Sequence, residues 1–318
     1  MQRTAASRTQ SHNPSLGIIA ILFLDHPAVE RLLSLPDLIA ELRNALRAFS
    51  AGEVVQPVRT ILPVEHHRGF FGLMPAYAGS LGAKLVTFYP ENRGIPTHHA
   101  LIVLFRPETG EPIAVMDGTY ITEVRTAAVS AIATDLLARG DARTLCLLGS
   151  GVQARSHLEA LRLVRTFSEV RVWSPRHAAG FARQHGVLAC PTAEAAVRGA
   201  DVIVVATSSK EPVLEGRWVG PGAHINAVGA CRPDWRELDD AVLHRARLYV
   251  DSEAAARVES GDIIAAQAPV IELGAVLATP ELGGRDPAEI TLFKSLGLAI
   301  EDLAAASLVY RKALQQGG

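Results

Sequence analysis

Apolar positions along this chain change rhythm twice. Over residues 27–50 they recur at helical spacing in two pieces, and Leu38, Leu42, Ala45, Leu46 and Phe49 share one face of the second. From 56 to 116 the rhythm shortens to strands, predicted at 58–62, 70–74, 84–89, 101–105 and 113–116, with a Pro-Glu-Thr-Gly turn at 107–110 closing the last two into a hairpin. Strands in series with short turns imply an antiparallel or mixed sheet. A long helix is predicted over 122–138, with Thr122 as its N-cap and Arg125 in its first turn.

Beyond that helix the pattern becomes strand, helix, strand. Apolar runs at 145–148, 170–173, 187–190, 202–207, 224–228 and 248–251 alternate with helical segments near 152–164, 178–184 and 193–197. Such alternation predicts a parallel sheet covered by helices. Residues 296–314, rich in alanine and leucine, close the chain as a helix. The expected architecture is α/β, with a Rossmann-type dinucleotide-binding domain at 127–296. A mixed α/β domain for substrate binding and dimerisation would comprise 1–126 with 297–318. Its strands expose a broad apolar set that includes Phe70, Leu73, Leu85 and Phe88. Either its own helices cover that set or a second copy of the chain buries one face.

The stretch Gly149-Ser150-Gly151-Val152-Gln153-Ala154, between an apolar strand and a helix, is the G-x-G-x-x-A dinucleotide fingerprint. Gly149 permits the tight turn, Gly151 lets the backbone approach a pyrophosphate, and Ala154 allows close helix–strand packing. The helix N-terminus adds free N–H groups and a positive dipole end. In an NAD site an acidic residue follows about twenty positions on. Here the second strand runs into Ser174-Pro175-Arg176-His177. A hydroxyl and a guanidinium where an acid would stand favour a 2′-phosphate, and hence NADPH.

Composition narrows the classes. The 318 residues are 48% apolar and 20% charged, as in an ordinary globular protein of two-domain size. A formal net charge of -2 leaves no basic footprint for nucleic acid. Cys146, Cys190 and Cys231 lack C-x-x-C spacing, which argues against a disulfide framework or zinc site and fits a reducing compartment. Residues 1–15 are polar and expected to be disordered. The apolar run 16–24 follows Arg3 and Arg8, but is too short to span a membrane and lacks a cleavage site. It reads as a first strand, and the expected location is cytoplasmic, with no membrane partner.

Three cations of the strand-rich half, Arg59, Lys84 and Arg125, lie on or beside predicted elements. A cation in the first turn of a helix is unfavourable without an anion nearby, so Arg125 points to a bound carboxylate or phosphate. His66, His67, His98 and His99 have no ligand spacing, and no metal is expected; His98 either faces the cofactor or lies in water.

Further segments carry a resemblance. They are Gln56-Pro57-Val58-Arg59-Thr60, Met74-Pro75-Ala76-Tyr77, Lys84-Leu85-Val86-Thr87-Phe88-Tyr89, and Arg125-Thr126-Ala127-Ala128-Val129-Ser130. The run Arg232-Pro233-Asp234-Trp235-Arg236-Glu237-Leu238-Asp239-Asp240 and Phe293-Lys294-Ser295-Leu296-Gly297 add to them. Together they resemble the ornithine cyclodeaminase/mu-crystallin family, most closely its mu-crystallin branch, over about 21–310. The resemblance implies a homodimer and an NADPH-dependent reductase of cyclic ketimine carboxylates of the pyrroline- or piperideine-2-carboxylate type, giving cyclic L-amino acids. It implies that Arg59, Lys84 and Arg125 hold the substrate carboxylate. Lys84 and Arg125 are the expected catalytic residues, with Lys84 managing the ring nitrogen's proton because crowding by two arginines should lower its pKa. Thr97, His98, Ser150, Val152, Gln153, Ser174, Arg176, His177, Thr207, Val228 and Ser295 would line the cofactor site with Gly149 and Gly151. Cys231 and Glu259 would line the substrate pocket.

Two departures bear on the branch. The cyclodeaminase aspartate that handles the substrate amine is replaced by Cys231, and the glutamate for the distal amine has Phe70 as its nearest match. A cyclodeaminase-type lyase or an alanine dehydrogenase-like enzyme therefore remains an alternative. So does a non-catalytic protein that holds NADPH and a small ligand resembling thyroid hormone.

Overall fold

The computed structural model describes residues 21–316. The expectations for 1–15, and for the first part of the run 16–24, lie outside the described residues. What remains of that run forms β1 (Leu22–Leu24). Two helices follow, α1 (His26–Leu32) and α2 (Leu35–Ser50); Ser34 caps the second by accepting the Asp37 N–H. Leu38, Leu42 and Leu46 of α2 are buried, as their shared face implies.

Strands β2 (Thr60–Val64), β3 (Gly69–Tyr77), β4 (Leu81–Phe88), β5 (His98–Phe105) and β6 (Pro112–Asp117) form an antiparallel meander. β1 joins it in parallel beside β6, giving the order β1-β6-β5-β4-β3-β2. Because side chains alternate across a strand, the register sorts them into two faces. Met74, Lys84, Ile102 and Met116 lie in one buried row. Pro75, Ala83, Val103, Val115 and Phe23 form the adjacent row on the opposite face, where Leu73, Leu101 and Leu62 also stand exposed.

Helix α3 (Thr119–Leu137) links the two halves. It starts three residues earlier than the sequence suggests. Gly118 is its N-cap, and Thr122 instead donates its hydroxyl to the Gly118 carbonyl oxygen one turn back. Arg125 therefore lies in the second turn, so the helix-terminus argument for an anion beside it does not hold. Thirteen residues of α3 are buried, because it runs between layers rather than over a surface. Polar contacts tie it to neighbouring elements: Thr134 Oγ1 accepts from Asn226 Nδ2 at 2.9 Å, and Ser130 Oγ lies 2.9 Å from His157 Nε2.

The second sheet comprises β7 (Thr144–Leu148), β8 (Glu169–Trp173), β9 (Leu188–Ala189), β10 (Val202–Val205), β11 (His224–Ala227), β12 (Ala246–Val250), β13 (Val270–Glu272) and β14 (Ile290–Lys294). All pair in parallel, in the order β13-β12-β14-β11-β10-β7-β8-β9. Its helices are α4 (Val152–Leu161), α5 (Ala178–His185), α6 (Ala193–Val197), α7 (Asp240–Arg245), α8 (Glu253–Glu259), α9 (Gly261–Ala266) and α10 (Leu273–Ala278). The sequence reading missed β13 and β14, although β14 is central and wholly buried. Lys294 and Thr291 interrupt its apolar pattern. The last helix, α11 (Ala299–Gln316), starts after a turn at Gly297 (φ +77°) and packs back on the first sheet and α2. No helix among the described residues is long and apolar enough to cross a membrane.

Candidate active site

The carboxyl ends of the parallel strands carry the fingerprint. After β7 the chain turns at Gly149 with φ +116°, where a side chain would collide with the Ala206 carbonyl oxygen. Only glycine satisfies both constraints. Gly151 differs: its φ of -88° suits any residue, and a Cβ there would meet no protein atom within 4 Å. The chain's own packing does not require that glycine, whereas a phosphate approaching the backbone would. Gly151 is also the N-cap of α4 and offers no side chain to its orphan N–H groups, leaving them available to an anion.

Around this turn, Ser150 Oγ and Ser174 Oγ are 2.8 Å apart, and Ser174 Oγ accepts the His177 N–H. Arg176 is exposed and forms no ion pair among the described residues. Thr207, Val228 and Ser295 follow β10, β11 and β14 on the same sheet edge. Gln153 Oε1 and Ser295 Oγ are buried without a hydrogen-bond partner. Orphan atoms of this kind call for an explanation, and a dinucleotide along this edge supplies one. The residues present therefore fit the group.

One carboxylate organises the far end of the cradle. Glu237 Oε1 accepts both the N–H and the hydroxyl of Thr207, and Oε2 accepts the N–H groups of Gly229 and Ala230 at 2.7 and 3.0 Å. A side chain at Gly229 would run into Thr207 and Glu237. Asp262 Oδ1 in turn accepts the Glu237 and Leu238 N–H groups, and its other oxygen is 3.5 Å from the buried Lys294 ammonium.

Facing this edge, the structure brings Arg59, Lys84 and Arg125 together. Lys84 Nζ is 2.5 Å from Asp302 Oδ2, and Arg125 Nε donates to Asp302 Oδ1 at 3.0 Å. Arg125 Nη1 is 3.4 Å from Glu301 Oε2. Arg59 Nε donates to Glu259 Oε1 at 3.0 Å, while its Nη2 donates to the Leu296 and Gly297 carbonyl oxygens, both at 2.8 Å. Each cation is thus already paired within the chain rather than left free for a ligand.

Burial pushes the Lys84 ammonium down to about 8; Asp302 opposes the shift, and Arg125 and Arg59 add to it. The sequence reading credited the crowding arginines, but loss of hydration is the larger cause. Burial also raises Glu301 to about 8, so this carboxyl is largely protonated at neutral pH. Burial would raise Asp302 too, but Lys84 and Arg125 outweigh it and hold the carboxyl below its usual range. Desolvation, with Lys84 and Arg125 next, depresses His98 to about 4 and leaves it neutral beside the cluster.

Asp302 and Glu301 were missed from the sequence. The available signal was a pair of acids inside the alanine- and leucine-rich run 296–314. They occupy the first turn of α11, where the helix dipole favours negative charge. Cys231 lines the same region; its thiol donates weakly to the Val228 carbonyl oxygen at 3.5 Å, and burial raises its pKa. Phe70 receives the Arg232 guanidinium 3.6 Å above its ring, and Phe88 meets Trp235 edge-on. His66, His67 and His99 are exposed. Among the described residues no group of three or more His, Cys, Asp or Glu could hold a metal.

The model of the ornithine cyclodeaminase/mu-crystallin family matches residues 21–317. Ketimine reductase mu-crystallin of Mus musculus is 52% identical over 289 residues, covering 86% of this chain and 91% of that protein. The solved structure of Thermococcus litoralis Δ1-pyrroline-2-carboxylate reductase, in complex with NADH and L-proline, superposes with a TM-score of 0.88 at 38% identity. That match covers 93% of this chain and 98% of the other. An archaeal alanine dehydrogenase dimer with bound NAD also gives 0.88, at 36% identity, over 94% and 97% of the two chains.

Proposed function

The chain belongs to the ornithine cyclodeaminase/mu-crystallin family, and on that premise we propose that it is an NADPH-dependent reductase of cyclic ketimine carboxylates. The substrates are five- or six-membered rings of the pyrroline- or piperideine-2-carboxylate type, and the products are cyclic L-amino acids. The observation that carries this reading is the meeting of Arg59, Lys84 and Arg125 at the carboxyl edge of the dinucleotide sheet.

Bound in that cradle, a reduced nicotinamide would supply a hydride. A C=N bond accepts hydride readily once its nitrogen carries a proton. Lys84, whose ammonium titrates near 8, holds that proton close to the ring nitrogen at neutral pH. Arg125 and Arg59 bind the substrate carboxylate and so fix which ring carbon faces the nicotinamide. Neutral Glu301 leaves Arg125 partly free for that exchange. Cys231, a protonated thiol, offers no charge to a primary amine, which disfavours ornithine and the lyase reaction.

The cofactor choice rests on Ser174 and Arg176, with no acid at the end of β8. The working division is a cofactor domain at 127–296 and a substrate domain formed by residues before 127 and after 296. The chain acts as a homodimer, pairing through the apolar outer face of the first sheet. The free thiols Cys146, Cys190 and Cys231 fit the cytoplasm. A panel tests the reading: cyclic ketimines with NADPH should be consumed, whereas ornithine with NAD should release no ammonia. Ammonia from ornithine, with ketimines untouched, would overturn it.

A further inference from the structure

Asp251 follows β12 and is fully buried. Its Oδ1 accepts the Ser252 N–H at 2.9 Å. Its Oδ2 accepts two more N–H groups, from Leu296 at 2.6 Å and Gly297 at 2.7 Å. Those two residues form the turn between β14 and α11. Their carbonyl oxygens point the other way, and both accept Arg59 Nη2. Gly297, at φ +77°, lies so close to the Arg125 guanidinium that any side chain there would collide with it. One two-residue turn therefore abuts both arginines, and a single carboxylate holds it from behind.

We propose that Asp251 is a positioning residue for the substrate carboxylate site, setting Arg59 and Arg125 through the Leu296–Gly297 turn. An asparagine oxygen could accept the Leu296 and Gly297 amides, but its NH2 would then face the Ser252 N–H; only a carboxylate accepts from all three and so fixes the peptide planes that face Arg59. Burial raises the Asp251 carboxyl, while the Gly297, Leu296 and Ser252 N–H groups and Arg59 oppose that shift by favouring the carboxylate; in that form its charge also falls on Arg125 and Glu301. Asp251 lies in the half of the chain that carries the cofactor cradle. It therefore couples that half to cations that act on substrate.

The inference rests on the reductase reading, and the test separates the two. Steady-state kinetics with Δ1-pyrroline-2-carboxylate and NADPH would be compared with direct NADPH binding, in Asp251→Asn and, independently, in Gly297→Ala. Each variant should raise the ketimine KM about 10- to 100-fold, the scale of small misplacements at a reacting centre. The NADPH dissociation constant should stay within about twofold, far below that scale. In an Arg59→Ala background, Asp251→Asn should cost much less than in the wild type, because the two act through one contact. Unchanged KM in both variants, an equal loss of NADPH binding, or full additivity with Arg59→Ala would overturn the inference while leaving the reductase intact. A wild-type protein that consumed no cyclic ketimine would overturn the reading, and this inference with it.

Discussion

Lys84 shows how a single side chain is set by its surroundings. The sequence identifies it as a cation on a strand, but only the fold shows that it is buried against Asp302 with two arginines nearby. If its ammonium holds the substrate proton, kcat/KM should fall as pH rises through about 8, when the proton is lost. Lys84→Met should abolish that alkaline limb along with most turnover; a limb unchanged in the variant would assign the titration elsewhere. Arg176 carries a second prediction. A charge-assisted hydrogen bond to a 2′-phosphate contributes about 1.5–3 kcal/mol, so Arg176→Ala should weaken the NADPH preference by roughly 10- to 100-fold. Equal kcat/KM for NADPH and NADH in the unaltered protein would refute it. Gly149 was legible because its role is local. Asp251, Glu237 and Asp302 were not, because a buried acid in sequence looks like any surface acid until its donors are assembled.

Helices and strands were legible where one periodicity governed them. Strands β3–β6 and helices α2, α5 and α6 follow their patterns closely. β14 did not, since its lysine and threonine face buried partners that no local pattern announces. Helix α3 misled at its start because glycine rather than threonine caps it. Its attachment to the second sheet gives a prediction at this scale. His224 and His157, on β11 and α4, are buried and neutral, and desolvation depresses them to about 3 and about 4. The unfolded chain binds protons at these imidazoles near the ordinary value of about 6.5, while the folded chain does not. Stability should therefore be full above about pH 6.5 and be lost progressively as pH falls toward 4, by several kcal/mol in total. Urea unfolding from pH 7.5 to 4.5 measures this loss. The decline should be shallower in His157→Gln, and a flat profile in the wild type would contradict the account.

In the whole molecule α3 packs against strands of both sheets, and α11 packs on the first sheet, α2 and α3. That the chain builds two sheets of different kind was visible in the change from serial strands to βαβ rhythm. The way α11 returns two acids to the cleft was not, because that contact joins residues more than 170 positions apart. The outer face of the first sheet, with Phe23 72% and Leu101 51% exposed, is the surface through which the proposed dimer would pair. Sedimentation should give twice 33.9 kDa, and Leu101→Asp with Leu73→Asp should give monomers. A monomeric wild type would remove the dimer from the account.

The central claim is that hydride reaches the ring carbon bearing the carboxylate held by Arg59 and Arg125. The most direct measurement supplies Δ1-pyrroline-2-carboxylate with NADPH deuterated at the transferable position and determines where the label goes. The account predicts L-proline with one deuterium on its α-carbon. Unlabelled proline, label at another carbon, or no proline at all would contradict it.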